Sequence, residues 1–127
     1  MIKHFDLFKF YNLDIVIACD ENDKVMGYAC LQNNDELCQV FTKPEYRKKG
    51  LADVLIWKCY ELAVLAGTTI IWGTAYPSTK DMYIDTIKRF GTVLLEVQPP
   101  EERNDGQWKM VFDITTVTPD RKPKFRG

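Results

Sequence analysis

Three features of the sequence predict an α+β domain with a mixed β-sheet flanked by helices. Three adjacent runs carry strand-like apolar patterning, the apolar spacing becomes helical after Gly50, and two further strand-like runs close the chain. The length of 127 residues suits one such unit, because a single core typically needs roughly 100 to 200 residues. The expected division is a domain over residues 1–117 and a basic, flexible, proline-containing tail over residues 118–127.

Residues 13–20, LDIVIACD, form a β-branched run; ENDK is a turn; residues 25–32, VMGYACLQ, are the return strand of a hairpin. NND then turns the chain into residues 36–43, ELCQVFTK, a third strand of the same meander, stopped by Pro44, which has no N–H for a ladder. From Gly50 the residues Leu51, Leu55, Cys59, Leu62 and Ala66 recur at helical spacing. Asp53, Lys58 and Glu61 lie between them, and Gly67 supplies a stop. TTIIWGTA is the next strand, and STKDMYIDTIKRFG the next helix, with Ser78 or Thr79 placed to cap its start and Gly91 to end it. TVLLEV and QWKMVFDIT are two closing strands around the polar loop QPPEERNDG. The crossover from LCQVFT through the first helix to TIIWGT is expected to be right-handed and to pair its strands in parallel.

Composition narrows the function classes. At 46% hydrophobic, 28% charged and net charge -1, the chain has ample material for a core and lacks the basic excess of a nucleic-acid binder. No apolar run approaches the ~20 residues of a membrane-spanning helix, and the N-terminal residues MIKHFDLFKFYNLD are too charged for a signal peptide, so a cytoplasmic location is expected. Cys19, Cys30, Cys38 and Cys59 have no C-x-x-C spacing, and His4 is the one histidine, so no metal site is expected and the cysteines read as reduced core thiols. Cys30 and Cys38 are placed to face each other across a hairpin. Trp57, Trp72 and Trp108 each lie inside an element and read as packing residues.

The stretch KPEYRKKGLADVLI, Lys43 to Ile56, carries the most chemical information. A helix beginning beside Gly50 presents free amides and the positive end of its dipole to the preceding loop, which suits an anion. Gly50 and the small Ala52 let backbone approach a ligand, and Arg47, Lys48 and Lys49 supply charge for phosphate oxygens. Most short basic runs are only solvated loops, so the surroundings decide the matter.

Those surroundings resemble the acyl-CoA motif of the GNAT superfamily of N-acyltransferases. Thr42, Lys43 and Pro44 at a strand end, then Arg47, Gly50 and Ala52 opening a helix, stand in that family's register. The order of elements from Leu13 to about Thr115 is similar to the family as well. The resemblance implies a GNAT-like fold and acetyl-CoA as cofactor, its pyrophosphate on the amides of Arg47, Lys48, Lys49, Gly50, Leu51 and Ala52. The pantetheine arm would pair with Phe41 and Thr42 like an added strand. It also implies that this strand parts from the next, often at a bulge where an amide polarises the thioester carbonyl.

Direct transfer to an amine needs a proton acceptor, since a free lysine has a pKa near ~10.4. Glu36, at the start of the strand leading to the loop, resembles the general-base glutamate of one branch of the family; it reads equally well as a surface residue after the NND turn. The family's tyrosine and asparagine positions, counted back from Gly91, hold Ile87 and Lys80. Tyr83, one turn before Ile87, is the replacement acid; an aromatic packing residue is its other reading. Tyr76 is a weaker candidate.

Only about twelve residues precede the hairpin, so the N-terminal region is shortened relative to the family, which commonly places a strand and two helices there. The acceptor groove is then open, or completed by a partner chain or a second copy. An open groove suits a protein or peptide amine. The expected function is transfer of acetyl from acetyl-CoA to a primary amine. The alternative is a non-catalytic bacteriophage virion or interaction protein, because the short front and the closing strands also resemble small phage-encoded GNAT-like proteins. The acidic Glu101, Glu102 and Asp105 would favour a cationic substrate if they reached the groove, and otherwise form a solvated hairpin tip.

Overall fold

The computed structural model describes residues 1–102 and 105–126. Its β-branched runs pair as the alternation requires: β2 (Leu13–Cys19) with β3 (Val25–Gln32), and β3 with β4 (Glu36–Thr42), both antiparallel. Ahead of them β1 (Ile2–Asp6) adds an antiparallel edge strand on β2, and a single turn, α1 (Phe8–Tyr11), links the two. The short front thus forms a strand and a turn of helix within the dozen residues expected to carry little.

After β4, α2 (Leu51–Leu65) packs on β2, β3 and β4, burying Leu51, Leu55, Ile56, Cys59 and Ala63. It leads to β5 (Ile70–Ala75), which lies parallel to β4 as the crossover predicts. Next come α3 (Lys80–Arg89), β6 (Val93–Gln98) and β7 (Trp108–Asp113). β7 inserts between β5 and β6, giving one seven-stranded mixed sheet in the order β1-β2-β3-β4-β5-β7-β6. Thr79 holds the N-cap position of α3, but its hydroxyl donates backward to the Tyr76 carbonyl at 3.4 Å and makes no bond to the helix. Arg103 and Asn104 of the acidic hairpin loop lie outside the described residues.

The core is continuous across the two helices. Trp57 and Tyr60 of α2 meet the ring of Phe90 edge-on at 5.2 and 5.5 Å. Phe90, Phe112, Leu31, Leu55, Ile56 and Ile71 are at most 1% exposed. Each such side chain contributes about 1.5 to 3 kcal/mol of burial, so this cluster fixes α2 against the sheet and with it the loop that precedes the helix. All four cysteines are free thiols, three of them buried. No described helix is long and apolar enough to cross a membrane.

Candidate active site

β4 and β5 pair over two residues only, the start of β4 against the middle of β5. Glu36 pairs with Trp72 and Leu37 with Gly73, and from Cys38 onward the two strands diverge. The divergence begins at an irregularity. Along the β3 ladder, Cys30 opposes Gln39 while the next residue, Leu31, opposes Leu37, so Cys38 is an extra residue in β4. Such a bulge bends its strand and leaves one residue out of the ladder.

The opened seam is a cleft with about 410 Å³ of unfilled space, part of it open to solvent. Cys38, Gln39 and Val40 form one wall, Trp72, Gly73 and Thr74 the other, and Tyr83 and Ile87 of α3 close it together with Met110 and Phe112 of β7. Here β4 has no strand beside it on the β5 side, so alternate amides and carbonyls of this strand are available to an extended ligand.

At the far end of β4 the ladder continues for one bond, Lys43 N–H to the Met26 carbonyl at 2.9 Å, and is then turned by the 3-10 segment Pro44–Tyr46. Gly27, opposite Thr42, makes this junction tight. A Cβ there would lie 2.5 Å from the Phe41 carbonyl oxygen and 3.2 Å from the Thr42 Cα. Arg47 folds back to donate its Nε to the Thr42 carbonyl at 3.1 Å. Lys48 and Gly50 both adopt left-handed backbone, with φ of 63° and 83°. Left-handed residues in such a turn gather successive N–H groups into an anion-binding concavity. Among the described residues, no hydrogen-bond acceptor meets the amides of Lys48 through Asp53.

Gly50 has a different neighbour from the one its sequence context suggests. A Cβ at Gly50 would lie 2.8 Å from the carbonyl oxygen of Lys124, so the backbone in close approach is that of the chain's own C-terminal segment. That segment is tied to the loop through carbonyls: the Arg126 amide donates to Lys49 O at 2.7 Å and Arg126 Nη2 to Lys48 O at 3.0 Å. The amides of the loop are left as they were.

The residues singled out from sequence therefore fall into three places. Arg47, Lys48, Lys49, Gly50, Leu51 and Ala52 form the loop and first turn of α2; the Leu51 side chain is core, 2% exposed, and offers only its amide. Phe41 and Thr42 lie on the last residues of the parting strand, with the Phe41 ring against Tyr28 at 5.5 Å. The Thr42 hydroxyl is buried without a hydrogen-bond partner among the described residues. Glu36 sits at the closed end of the seam, beside Leu37 and two residues before the bulge. Tyr83 lines the cleft, and its burial pushes the phenol above its ordinary range, so it is protonated at neutral pH. Ile87 lines the same cleft one turn later, while Lys80 turns away, its ammonium over the Trp108 ring at 4.1 Å. Tyr76 is 59% exposed and takes no part in the lining.

As the sequence places them, Cys30 and Cys38 face each other; the Cys38 thiol is held protonated, first by its hydrogen bond with Cys30, then by burial and by the charges of Cys30 and Glu36. Two features escaped the sequence. Asp53, in the first turn of α2, would oppose an anion there, but Arg89 Nη2 binds its carboxylate at 2.9 Å. The side-chain contact of Arg126 with Lys48 O joins residues 78 apart in the chain, beyond the reach of any local pattern.

A sheet split at a bulge, with a strand-to-loop-to-helix anion cradle at the open end, is the arrangement of an acyl-carrier-binding fold. The chain belongs to the acetyltransferase (GNAT) family, whose pattern matches residues 2–83. Its fold is similar to that of PaiA N-acetyltransferase from Thermoplasma acidophilum in complex with coenzyme A, at 16% identity and TM-score 0.61 over 79% of this chain and 60% of that one. It is similar to a spermidine N-acetyltransferase chimera of Vibrio cholerae SpeG and hSSAT, at 16% identity and TM-score 0.60 over 80% of this chain and 66% of that one. A protein from Klebsiella pneumoniae assigned as an acyl-CoA N-acyltransferase aligns at 12% identity and TM-score 0.65 over 87% of this chain and 94% of that one. The chain thus spans less than two thirds of the first two proteins and nearly all of the third. No curated protein matches the sequence.

Proposed function

We propose that this chain is an acetyl-CoA-dependent N-acetyltransferase that passes acetyl directly to a primary amine. The observation that carries the reading is the parting of β4 from β5 after only two residue pairs, beginning at the Cys38 bulge and leading to the partnerless amides of residues 48–53. The donor set fits a phosphorylated thioester carrier. Lys48 to Ala52 would hold the diphosphate by backbone N–H groups, Arg47, whose own amide donates to Pro44 O at 3.3 Å, would add only charge, and β4 from Cys38 to Thr42 would hold the pantetheine arm by main-chain bonds. Acetyl-CoA, when bound, supplies the activated acyl group. The backbone around Cys38 would direct an N–H at the carbonyl oxygen. Glu36 would accept the proton of the attacking amine, through water where the reach requires it, and Tyr83 would give its phenolic proton to the departing sulfur. The amine of spermidine is the acceptor implied by the name of one similar structure, and an amine on a peptide or protein is the acceptor we favour here.

The test couples binding to turnover. Acetyl-CoA should raise the melting temperature, and release of free thiol should be seen with a panel of polyamines and lysine peptides. Glu36→Gln should slow turnover at neutral pH and recover partly as pH rises and more of the amine is neutral. Absence of a thermal shift at millimolar acetyl-CoA would end the proposal. The second reading is a non-catalytic interaction or phage virion protein, favoured by an apolar Ile87, 3% exposed, at the cleft position where the family resemblance places tyrosine. A thermal shift without thiol release from any amine would support that reading.

A further inference from the structure

Resting on the cofactor reading above, we infer that the C-terminal segment around Lys124–Arg126 is a strap that completes the phosphate site, with Arg126 as a phosphate ligand. The segment returns to the loop in a defined way. Phe125 packs against the hydrophobic core, and on either side of it Lys124 and Arg126 meet the loop. Arg126 is fixed by two bonds, its amide to Lys49 O at 2.7 Å and its Nη2 to Lys48 O at 3.0 Å. Both acceptors are carbonyls, so the strap occupies the side of the loop that an anion has no use for. A guanidinium carries five N–H donors, and among the described residues it makes only the bond to Lys48 O, leaving donors for a further acceptor. Arg126 Nη1 and Cζ lie 3.3 and 3.8 Å from the point where a side chain would begin at Gly50, the N-cap residue of α2.

No carboxylate pairs with Arg126 among the described residues. An arginine docked on neutral carbonyls, with no carboxylate partner and adjacent to a cluster of free N–H groups, is a preorganised half-site for a tetrahedral phosphate, two of whose oxygens its planar fork can meet. Gly50 is required on this account twice over: its left-handed φ of 83° shapes the concavity, and its missing Cβ admits the Lys124 backbone. The ligand class is a phosphate of the nucleotide end of the acyl carrier. A strap that instead covered the amides would act as a plug, and the two arrangements predict opposite signs.

Calorimetric titration with acetyl-CoA separates them. Wild type, Arg126→Ala, Arg126→Lys and Phe125→Ala are compared, with Lys122→Ala, an exposed cation of the same segment, as the control. Arg126→Ala is expected to weaken binding about tenfold, the size of one charge-assisted hydrogen bond, and to make the affinity less steep in salt. Arg126→Lys should fall between, Phe125→Ala should weaken binding by loosening the anchor, and Lys122→Ala should match wild type. Equal affinity of wild type and Arg126→Ala, with both folded by circular dichroism, overturns the strap while leaving the cofactor reading intact. Tighter binding by Arg126→Ala also overturns it and makes the segment a plug. Failure of every variant and of wild type to bind removes both readings together.

Discussion

Replacing Gly27 by alanine tests whether the end of β4 is held in place by contact. The new Cβ would stand 2.5 Å from the Phe41 carbonyl oxygen, and contacts under 3.0 Å are essentially never seen, so the backbones must separate by at least 0.5 Å (3.0 minus 2.5). The obstacle is main chain, and Leu55 Cδ1 at 3.3 Å blocks retreat toward α2. Overpacking of this kind costs about 1 to 3 kcal/mol. For a domain of this size that is a fall of roughly 3–5 °C in Tm per kcal/mol, so a drop of about 3–15 °C is expected. The same shift moves Phe41 and Thr42, and through the Lys43 bond to Met26 it moves the loop, so acetyl-CoA affinity should weaken several-fold. The assay is thermal unfolding at a series of acetyl-CoA concentrations. Gly67→Ala is the control: φ is also +83° there but nothing lies within 4 Å, so stability should fall by the cost of a left-handed residue, about 1–2 kcal/mol, with affinity unchanged. An unchanged Tm for Gly27→Ala would refute the packing argument. A lowered Tm with wild-type affinity would remove the strand end from the binding site.

Tyr60→Phe deletes a buried hydroxyl that has no partner among the described residues, so stability by denaturant titration should hold or rise by about 1–2 kcal/mol; a loss of that size would mean that the hydroxyl is bonded. Tyr83→Phe should lower kcat with little change in acetyl-CoA affinity. Besides the fall at low pH as the amine and its base are protonated, the wild-type pH profile should carry an alkaline limb, because a phenol raised by burial keeps its proton through the ordinary range near ~10 and loses it above; the variant should lack that limb. Arg89→Ala leaves the Asp53 carboxylate unpaired beside the first amides of α2, so acetyl-CoA binding should weaken by a few-fold at low salt and recover in Arg89→Ala/Asp53→Asn, as read by calorimetry.

The parts legible in the sequence are those fixed by near neighbours. The hairpin strands follow from β-branched runs bounded by ENDK and NND, and α2 follows from Leu51, Leu55, Cys59 and Leu62 recurring on one face. The loop was readable because Arg47, Gly50 and Ala52 act within one turn of each other. β1 was not readable: Lys3, His4 and Asp6 break its apolar pattern, and as an edge strand it needs only the backbone of β2 and a few partners such as Asp14, which meets His4 at 2.8 Å. The resemblance implied a bulge where β4 parts from its neighbour, but its position was hidden, since Cys38 is neither glycine nor proline and the extra residue shows only against the β3 register. The insertion of β7 between β5 and β6, and the return of Arg126 to Lys48, are long-range events that spacing cannot express. The roles of Glu36 and Tyr83 rest on position alone: one at the closed end of the seam, the other in its lining.

The central claim is that one ligand spans from the amides before α2 to the seam where β4 leaves β5. Titration of isotopically labelled protein with acetyl-CoA, followed amide by amide in NMR spectra, measures this directly. The account requires the largest shifts at Lys48 to Asp53 together with Cys38 to Thr42, saturating at a single affinity. Shifts confined to other surfaces, or the two groups moving with different affinities, would contradict it.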